Sequence, residues 1–146
     1  MAGVLTDKAR EMILGGTLNL KTADIYFMLL NASDGATKDV EYVSEVVANE
    51  LAGTGYTGGY AGSGRKTIGA TGDRTVSHSS ATGTLDVASP TWTGLDAGTI
   101  GQVLTIVKGT SDTNSLVVSY ETITDVVTNG GPWTYEIATL GLYTAA

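Results

Sequence analysis

The sequence predicts a mainly β protein, either an antiparallel β-sandwich or a barrel-like domain, with a short N-terminal helix. Twenty glycines and only 2 prolines among 146 residues favour a chain with many turns. Short segments rich in strand-forming residues alternate with turn sequences such as 31–35 (NASDG) and 128–132 (TNGGP). No helix of the length that a βαβ unit needs separates these segments, so the strands are expected to pair antiparallel.

Residues 5–16 (LTDKAREMILGG) predict the helix. Thr6 can cap its first turn by accepting a backbone hydrogen bond, and Asp7 suits the positive end of the helix dipole. Apolar residues recur at spacings of three and four, and two glycines then end the helix. We assign residues 1–20 to an N-terminal helical arm and place all of 1–146 in one β-rich domain, because no internal boundary is visible.

The first strand is expected at Asp24–Asn31, where a nearly continuous apolar run predicts burial on both faces. At Val40–Val47, valines at helical spacing indicate one or two irregular helical turns, since β-branched residues weaken helix propensity. In the last segment, 133–146, apolar and polar residues alternate as in a strand with one buried face. Further strands are predicted at 74–78 (RTVSH), 82–89 (TGTLDVAS), 100–110 (IGQVLTIVKGT) and 115–127 (SLVVSYETITDVV).

Charge and composition exclude several classes of function. With 8 basic residues and a net charge of −7, the chain lacks the basic face that nucleic-acid binding requires. The absence of cysteine excludes disulfides and thiol catalysis. No apolar run approaches the roughly 20 residues of a membrane span, and the N-terminus lacks the apolar core of a secretory signal. We therefore expect a soluble protein that binds neither nucleic acid nor membrane.

A glycine-rich stretch, 53–67 (GTGYTGGYAGSGRKT), resembles two nucleotide-binding patterns. Its first glycines match G-x-G-x-x-G, and 59–67 differs from the P-loop pattern by the insertion of Arg65 before Lys66. Both patterns need a following helix whose amides bind the phosphates, and the sequence beyond Gly58 predicts none. A nucleotide-binding enzyme that depends on Lys66 is therefore the weakest of the hypotheses considered.

A loop this long and rich in glycine is uncommon in a compact domain unless it has a task, such as contact with a neighbouring subunit. Tyr56 and Tyr60 are amphipathic anchors of the kind that interfaces favour. Arg65 and Lys66 form one of two tight basic pairs in the chain. We predict these four residues to lie at a protein interface.

No pattern in the sequence indicates catalysis or a metal. His78, the only histidine, has serine neighbours, but adjacent residues of a strand do not face each other as a catalytic pair must. One histidine and no cysteine cannot supply a zinc site. Segments 31–35 and 111–115 resemble fragments of calcium loops, yet lack the acidic series with its closing Glu. They are interpreted as Asx-type turns, and no cofactor is expected.

Two tryptophans leave a binding function open. Trp92 and Trp133, with the tyrosine-rich loop, could form a platform on which sugar rings stack. Aromatic residues of this kind more often belong to a core or an interface. A carbohydrate-binding β module is therefore kept as an alternative.

The segment 23–59 resembles a pattern of small virion structural proteins of tailed bacteriophages. In that pattern an apolar strand and a polar turn precede a short acidic or aromatic segment and a glycine-rich signature. The matching residues are Ile25–Leu30, Tyr42–Val46 and Asn49–Gly59 (NELAGTGYTGG), of which GTGYTGG is the distinctive part. Looser similarity continues through 85–94, 103–110 and 133–144. The chain departs from the pattern at 60–73 (YAGSGRKTIGATGD), which is longer and richer in glycine.

The resemblance implies a non-enzymatic protein of the virion, most simply a capsid cement or decoration protein. Its partners would be the major capsid protein and further copies of itself, in a homo-oligomer that is commonly a trimer. It would lie on the capsid surface after assembly in the host cytoplasm. A tail, neck or fibre component is the nearest alternative within the same virion.

Overall fold

The computed structural model of the chain describes residues 3–31, 35–68, 74–79, 82–137 and 143–145. One α-helix and ten strands occur in these ranges, with two short 3₁₀ helices at Val43–Glu45 and Val47–Asn49. The elements in chain order are β1 (Val4–Leu5), α1 (Asp7–Leu14), β2 (Ile25–Asn31), β3 (Lys66–Thr67), β4 (Thr75–Ser79), β5 (Thr82–Asp86), β6 (Thr91–Trp92), β7 (Thr99–Val107), β8 (Leu116–Val127), β9 (Trp133–Thr134) and β10 (Tyr143–Ala145).

The main sheet has five strands in the order β1-β8-β7-β2-β3, and every pair in it is antiparallel. Its centre is formed by β2, β7 and β8, the three apolar segments that the sequence predicts as strands. Two edge strands of two residues each, β1 and β3, complete the sheet. Neither edge strand is predicted by the sequence, because two residues carry no periodicity.

Both faces of the main sheet are buried along β2, as its apolar run predicts. Phe27 and Leu29 point into one hydrophobic cluster, and Met28 and Leu30 point into another on the opposite face. The first cluster also contains residues of α1, the second layer of strands and the glycine-rich loop. The second is closed by the segment around the 3₁₀ helices, through Val43 and Val46. The sheet is therefore the middle of the molecule.

Two smaller sheets form the second layer. One has the order β10-β5-β4, and the other pairs β6 with β9. Leu85 of β5 and Trp92 of β6 belong to the same cluster as Phe27 of the main sheet. The predicted mainly β, antiparallel class is confirmed. Since the main sheet is open at β1 and β3, the described strands form packed layers, which is the sandwich alternative of the prediction and not the barrel-like one.

The N-terminal helix is confirmed with its predicted cap. Thr6 has an extended backbone, and its hydroxyl accepts a hydrogen bond of 3.2 Å from the amide of Ala9. The same hydroxyl donates to the carbonyl of Val117 in β8, at 2.7 Å. Since Ala9 is fully buried, α1 lies against β8 and is part of the layered structure.

The predicted irregular helical turns at Val40–Val47 are found as the two 3₁₀ helices, which begin and end slightly later. The predicted C-terminal strand, 133–146, is wrong in part. Only Trp133–Thr134 and Tyr143–Ala145 are strands, while Tyr135 to Ile137 lie outside any strand and 138–142 outside the described residues. Tyr135 is nevertheless buried, because its ring packs edge-on against Phe27 at 5.6 Å.

Candidate functional site

A buried network of charged and polar side chains lies beneath the glycine-rich loop. We call Glu50, Tyr56, Arg65 and Asp112 the loop anchor. Glu50 follows the second 3₁₀ helix and pairs with Leu30 at the end of β2. Arg65 immediately precedes β3, and Asp112 lies in the turn between β7 and β8. The anchor thus joins three segments that are distant in the sequence.

Arg65 is the centre of the loop anchor, and only 6% of the residue is exposed. Its Nε and Nη2 donate to the two carboxylate oxygens of Glu50, at 2.8 and 2.7 Å. Nη1 and Nη2 donate to the two oxygens of Asp112, at 2.6 and 3.2 Å. The planar guanidinium therefore binds two carboxylates in bidentate fashion, the arrangement for which arginine is better suited than lysine.

Glu50 is equally well satisfied, although its side chain is 3% exposed. Oε1 accepts from Arg65 and from the hydroxyl of Tyr56, at 3.1 Å. Oε2 accepts from Arg65 and from the amide of Gly59, at 2.8 Å. A buried carboxylate is tolerated when it is both paired and hydrogen-bonded, and here each oxygen has two donors.

Tyr56 connects the anchor to the main sheet. Its hydroxyl oxygen accepts a hydrogen bond of 3.0 Å from the amide of Leu29, and its proton is donated to Glu50. Burial raises the pKa of the Tyr56 hydroxyl far above its ordinary value, and the negative charge of Glu50 adds to this effect. The hydroxyl is therefore protonated at every physiological pH and serves as a permanent donor.

The electrostatics of Arg65 follow from its two carboxylates. Burial disfavours its charged form, but the hydrogen bonds that Arg65 donates to Glu50 and Asp112, together with their negative charges, outweigh that cost, so the pKa of Arg65 lies above its ordinary value. The guanidinium is therefore a fixed positive charge at the centre of the loop anchor.

Two glycines allow the loop to pack this closely. A Cβ on Gly64 would lie 2.5 Å from the ring of Tyr56, and the carbonyl of Gly64 accepts a hydrogen bond of 2.7 Å from Nε1 of buried Trp92. Gly55 has a φ of +79°, and a Cβ there would lie 2.3 Å from the carbonyl oxygen of Gly94. The glycines therefore let the loop fold onto its own chain.

Tyr60, in the middle of the glycine-rich loop, makes two contacts with the turn that follows β7. The hydroxyl of Tyr60 donates to the carbonyl of Gly109 at 2.5 Å. The ammonium of Lys108 lies between two tyrosine rings, 4.6 Å from the centre of Tyr60 and 5.0 Å from that of Tyr26. Such cation–π contacts are worth about 0.5–1 kcal/mol at exposed sites. The glycine-rich loop is therefore bound to the turn after β7 by a hydrogen bond and by a cation–π contact.

The four predicted interface residues occupy different environments. Tyr56 and Arg65 are 1% and 6% exposed, so their side chains cannot reach a partner unless the loop opens. For these two residues the interface prediction is replaced by an internal role in the loop anchor. Tyr60 and Lys66 are half-buried and retain an outward part, so for them the interface remains a prediction. The sequence missed Glu50 and Asp112.

The other patterns singled out in the sequence do not form a site with the anchor. The backbone from Gly53 to Ile68 contains turns, isolated bridges and β3, with no helix to receive a phosphate. His78 lies in β4 opposite Gly83. In 111–115, Asn114 Oδ1 accepts from the amides of Thr110 and Ser111, which precede it, whereas the predicted Asx-type turn would bond an amide two residues later. Residues 32–34 of the other predicted turn lie outside the described residues.

The two tryptophans lie together, with ring centres 5.4 Å apart. Trp92 is fully buried, and Trp133 is half-buried beside it. A sugar-stacking platform needs an accessible ring face, which Trp92 does not offer. Trp133 continues the stack toward Tyr135, at 6.4 Å. Trp92 and Trp133 therefore form a contact of the hydrophobic core.

An open cavity of about 500 Å³ lies elsewhere, between the end of α1 and the start of β8. Its lining is mixed, with Met12 and Leu18 beside Asn19, Tyr42 and Asn114. Asn19 and Asn114 are occupied in capping the backbone of their own turns. Within the described ranges, no three histidine or acidic side chains converge on a position where they could hold a metal ion.

Comparisons with protein-family models, with curated proteins and with solved structures find no match to this chain. Of the helices in the described part of the chain, none has the length and apolar character needed to cross a membrane. The interpretation of the site therefore depends on its geometry and on the sequence pattern.

Replacing Tyr56 by Phe should destabilise the protein while leaving the shape of the core almost unchanged. The Leu29 amide would lose its buried acceptor, and Glu50 one of its donors. An unsatisfied buried group costs about 1–3 kcal/mol, so a loss of that size is expected in the free energy of unfolding measured by urea titration. Tyr120→Phe, at a half-buried tyrosine outside the anchor, is the control. Equal losses in the two variants would contradict the role given to Tyr56.

Proposed function

We propose that this chain is a non-enzymatic structural protein of a tailed-phage virion, most specifically a capsid cement or decoration protein. Its partners in this proposal are the major capsid protein and further copies of itself. The observation that carries the proposal is the structural role of the signature residues. In the segment Asn49–Gly59, Glu50 and Tyr56 belong to the loop anchor, and Gly58 and Gly59 lie against Glu50. The pattern that suggests the family therefore also builds the anchor.

The anchor is suited to a mechanical task. It fixes a long glycine-rich loop without a large hydrophobic core of its own, by joining that loop to β2, β3 and the β7–β8 turn. A cement protein must present a rigid surface, because ordering a mobile loop on binding would cost affinity. Tyr56, Arg65 and Glu50 are buried and hydrogen-bonded to one another, an arrangement that favours a binding role over catalysis.

The outer side of the loop offers a surface for a protein partner. Five small residues of this segment are exposed: Ala52, Gly53, Thr54, Gly55 and Thr57. Tyr60 and Lys66, farther along the chain, are half-buried. Small residues leave the backbone accessible, and a tyrosine and a lysine add an amphipathic contact and a positive charge on a chain whose net charge is −7. We propose that this side of the loop faces the capsid.

Charge reversal at Lys66 should weaken binding to heads. The test uses heads prepared without this protein and measures co-sedimentation of the purified chain as a function of its concentration. Loss of a rim cation and introduction of a like charge should reduce affinity by about tenfold or more, and more strongly at low salt. Lys66→Glu is compared with Lys21→Glu, which makes the same change in charge at an exposed lysine before β2.

The outcomes separate the proposals. Binding of the unaltered chain with a defect specific to Lys66→Glu supports a capsid-facing loop. Equal defects in both variants would show that only overall charge matters, and would contradict the assigned face. No binding to heads at any salt concentration would overturn the cement role. Labelling of tails, necks or fibres in particles by cryo-microscopy would then favour the nearest alternative, a component of those structures.

A further inference from the structure

We propose that the open cavity between the end of α1 and the start of β8 binds a small neutral alcohol or phenol with an apolar body. The cavity measures about 500 Å³, within the range of roughly 300–1,000 Å³ that small-molecule pockets occupy. None of its described lining residues belongs to the loop anchor. The inference therefore goes beyond the proposed virion role and does not depend on it.

The interior of the cavity is apolar. Leu18 and Leu116 line it and are 9% and 5% exposed, and the half-buried Met12, Ala23 and Val107 also line it. Replacing water in contact with these side chains by an apolar group is favourable, because apolar surface is removed from water. The interior therefore accommodates the body of the ligand, a ring or a branched chain.

The entrance of the cavity is polar. Thr17, Asn19, Thr22 and Asn114 line it and are exposed, so they lie nearer the solvent than the two leucines. Asn19 Oδ1 accepts from the amide of Lys21 at 3.0 Å, whereas Nδ2 of Asn19 donates to none of the described residues. The Thr17 and Thr22 hydroxyls donate to backbone carbonyls and keep lone pairs that can accept. A ligand hydroxyl matches this set, because it can accept from Nδ2 and donate to a threonine oxygen.

The chemistry of the lining also determines the charge of the ligand. The described lining residues supply amide, hydroxyl and apolar groups, with no acidic, basic or histidine side chain. A carboxylate or an ammonium that leaves water without a partner of opposite charge costs far more than a hydroxyl that finds hydrogen bonds. A ligand with the same ring and a charged group should therefore bind less tightly than the alcohol.

Hydrogen bonds hold the walls of the cavity in place. The carbonyl of Met12 accepts from the amides of Thr17 and Leu18, at 2.9 and 3.1 Å, so the chain after α1 folds back onto the end of the helix. At another wall, Tyr42 and Leu116 form an antiparallel bridge. A preformed cavity avoids the cost of ordering its walls when a ligand binds.

Nuclear magnetic resonance of methionine methyl groups tests this assignment in the unaltered chain. Met12 lines the cavity, whereas Met28 is fully buried in the cluster on the opposite face of the main sheet. Met12→Leu identifies the Met12 signal. Benzyl alcohol should shift that signal saturably, with half-saturation on the order of 1 mM, and leave the Met28 signal unchanged. Benzoate and benzylammonium, which share the ring, should bind at least tenfold more weakly.

A cavity-filling variant supplies the second measurement. Ala23→Leu adds apolar volume to the lining and should weaken benzyl alcohol binding more than tenfold, whereas Ala48→Leu, at an exposed alanine outside the lining, should leave it unchanged. Circular dichroism checks that both variants fold, and the comparison of the three probes does not require them.

The outcomes decide the proposal independently of head binding, which is measured separately. A saturable Met12 shift that prefers the alcohol to both charged probes supports it. No saturable shift, equal affinity for the three probes, or equal binding by folded Ala23→Leu and Ala48→Leu would overturn it. A Met12 signal that changes with protein concentration in the absence of a probe would show that a second copy covers the cavity, and would overturn it as well.

Discussion

Replacing Arg65 by Met is expected to lower the free energy of unfolding by about 3–5 kcal/mol, the cost of leaving buried charges without their partner. The substitution removes four hydrogen bonds from the loop anchor and leaves Glu50 with only Tyr56 and Gly59 as donors. Asp112 is 18% exposed and can be partly hydrated, so most of the cost should arise at Glu50. Urea titration followed by far-ultraviolet circular dichroism measures the effect.

Arg10→Met is the matched control, because Arg10 forms an exposed ion pair with Asp7 at 3.3 Å, and exposed pairs contribute little. The double variant Arg65→Met/Glu50→Met removes both buried charges of the closest pair. It should recover part of the stability lost in Arg65→Met, since an apolar pair of similar size avoids the uncompensated carboxylate. Equal stability of Arg65→Met and Arg10→Met would show that the anchor contributes nothing to the fold.

The loop anchor also shows what could be predicted from this sequence. The helix, the strands β2, β7 and β8 and the absence of a helix between Gly58 and Ile68 follow from local patterns, because periodicity, caps and glycines act over a few residues. The anchor joins Arg65 to a carboxylate 15 residues earlier and to another 47 residues later. No local rule selects Glu50 and Asp112 from 15 acidic residues.

The burial of Arg65 illustrates the same limit. Arginine is almost never fully buried unless it is paired, so a basic pair such as Arg65 and Lys66 is ordinarily expected at the surface. Only the fold shows that these two neighbours differ in burial. Arg65 is buried, whereas Lys66 is half-buried in the edge strand β3. The available signal is the position of Glu50 within the segment Asn49–Gly59, three residues before the distinctive GTGYTGG.

Trp92→Ala should be as damaging as the loss of Arg65, with a decrease of about 3–5 kcal/mol in the free energy of unfolding. Trp92 is fully buried, and its indole nitrogen holds the carbonyl of Gly64, so the substitution leaves both a cavity and an unpaired acceptor next to the loop anchor. Trp92→Phe retains most of the apolar volume and should cost about 1–3 kcal/mol through the lost hydrogen bond.

Trp133→Ala provides the control that distinguishes a core tryptophan from a ligand platform. Trp133 is half-buried, so its removal should cost clearly less stability than Trp92→Ala in the same urea titration. A carbohydrate-binding module instead requires a saturable change of tryptophan fluorescence with a sugar, abolished by Trp133→Ala in a protein that remains folded. Because Trp92 has no accessible face, we expect no such response. A response of that kind would replace the virion proposal with the carbohydrate alternative.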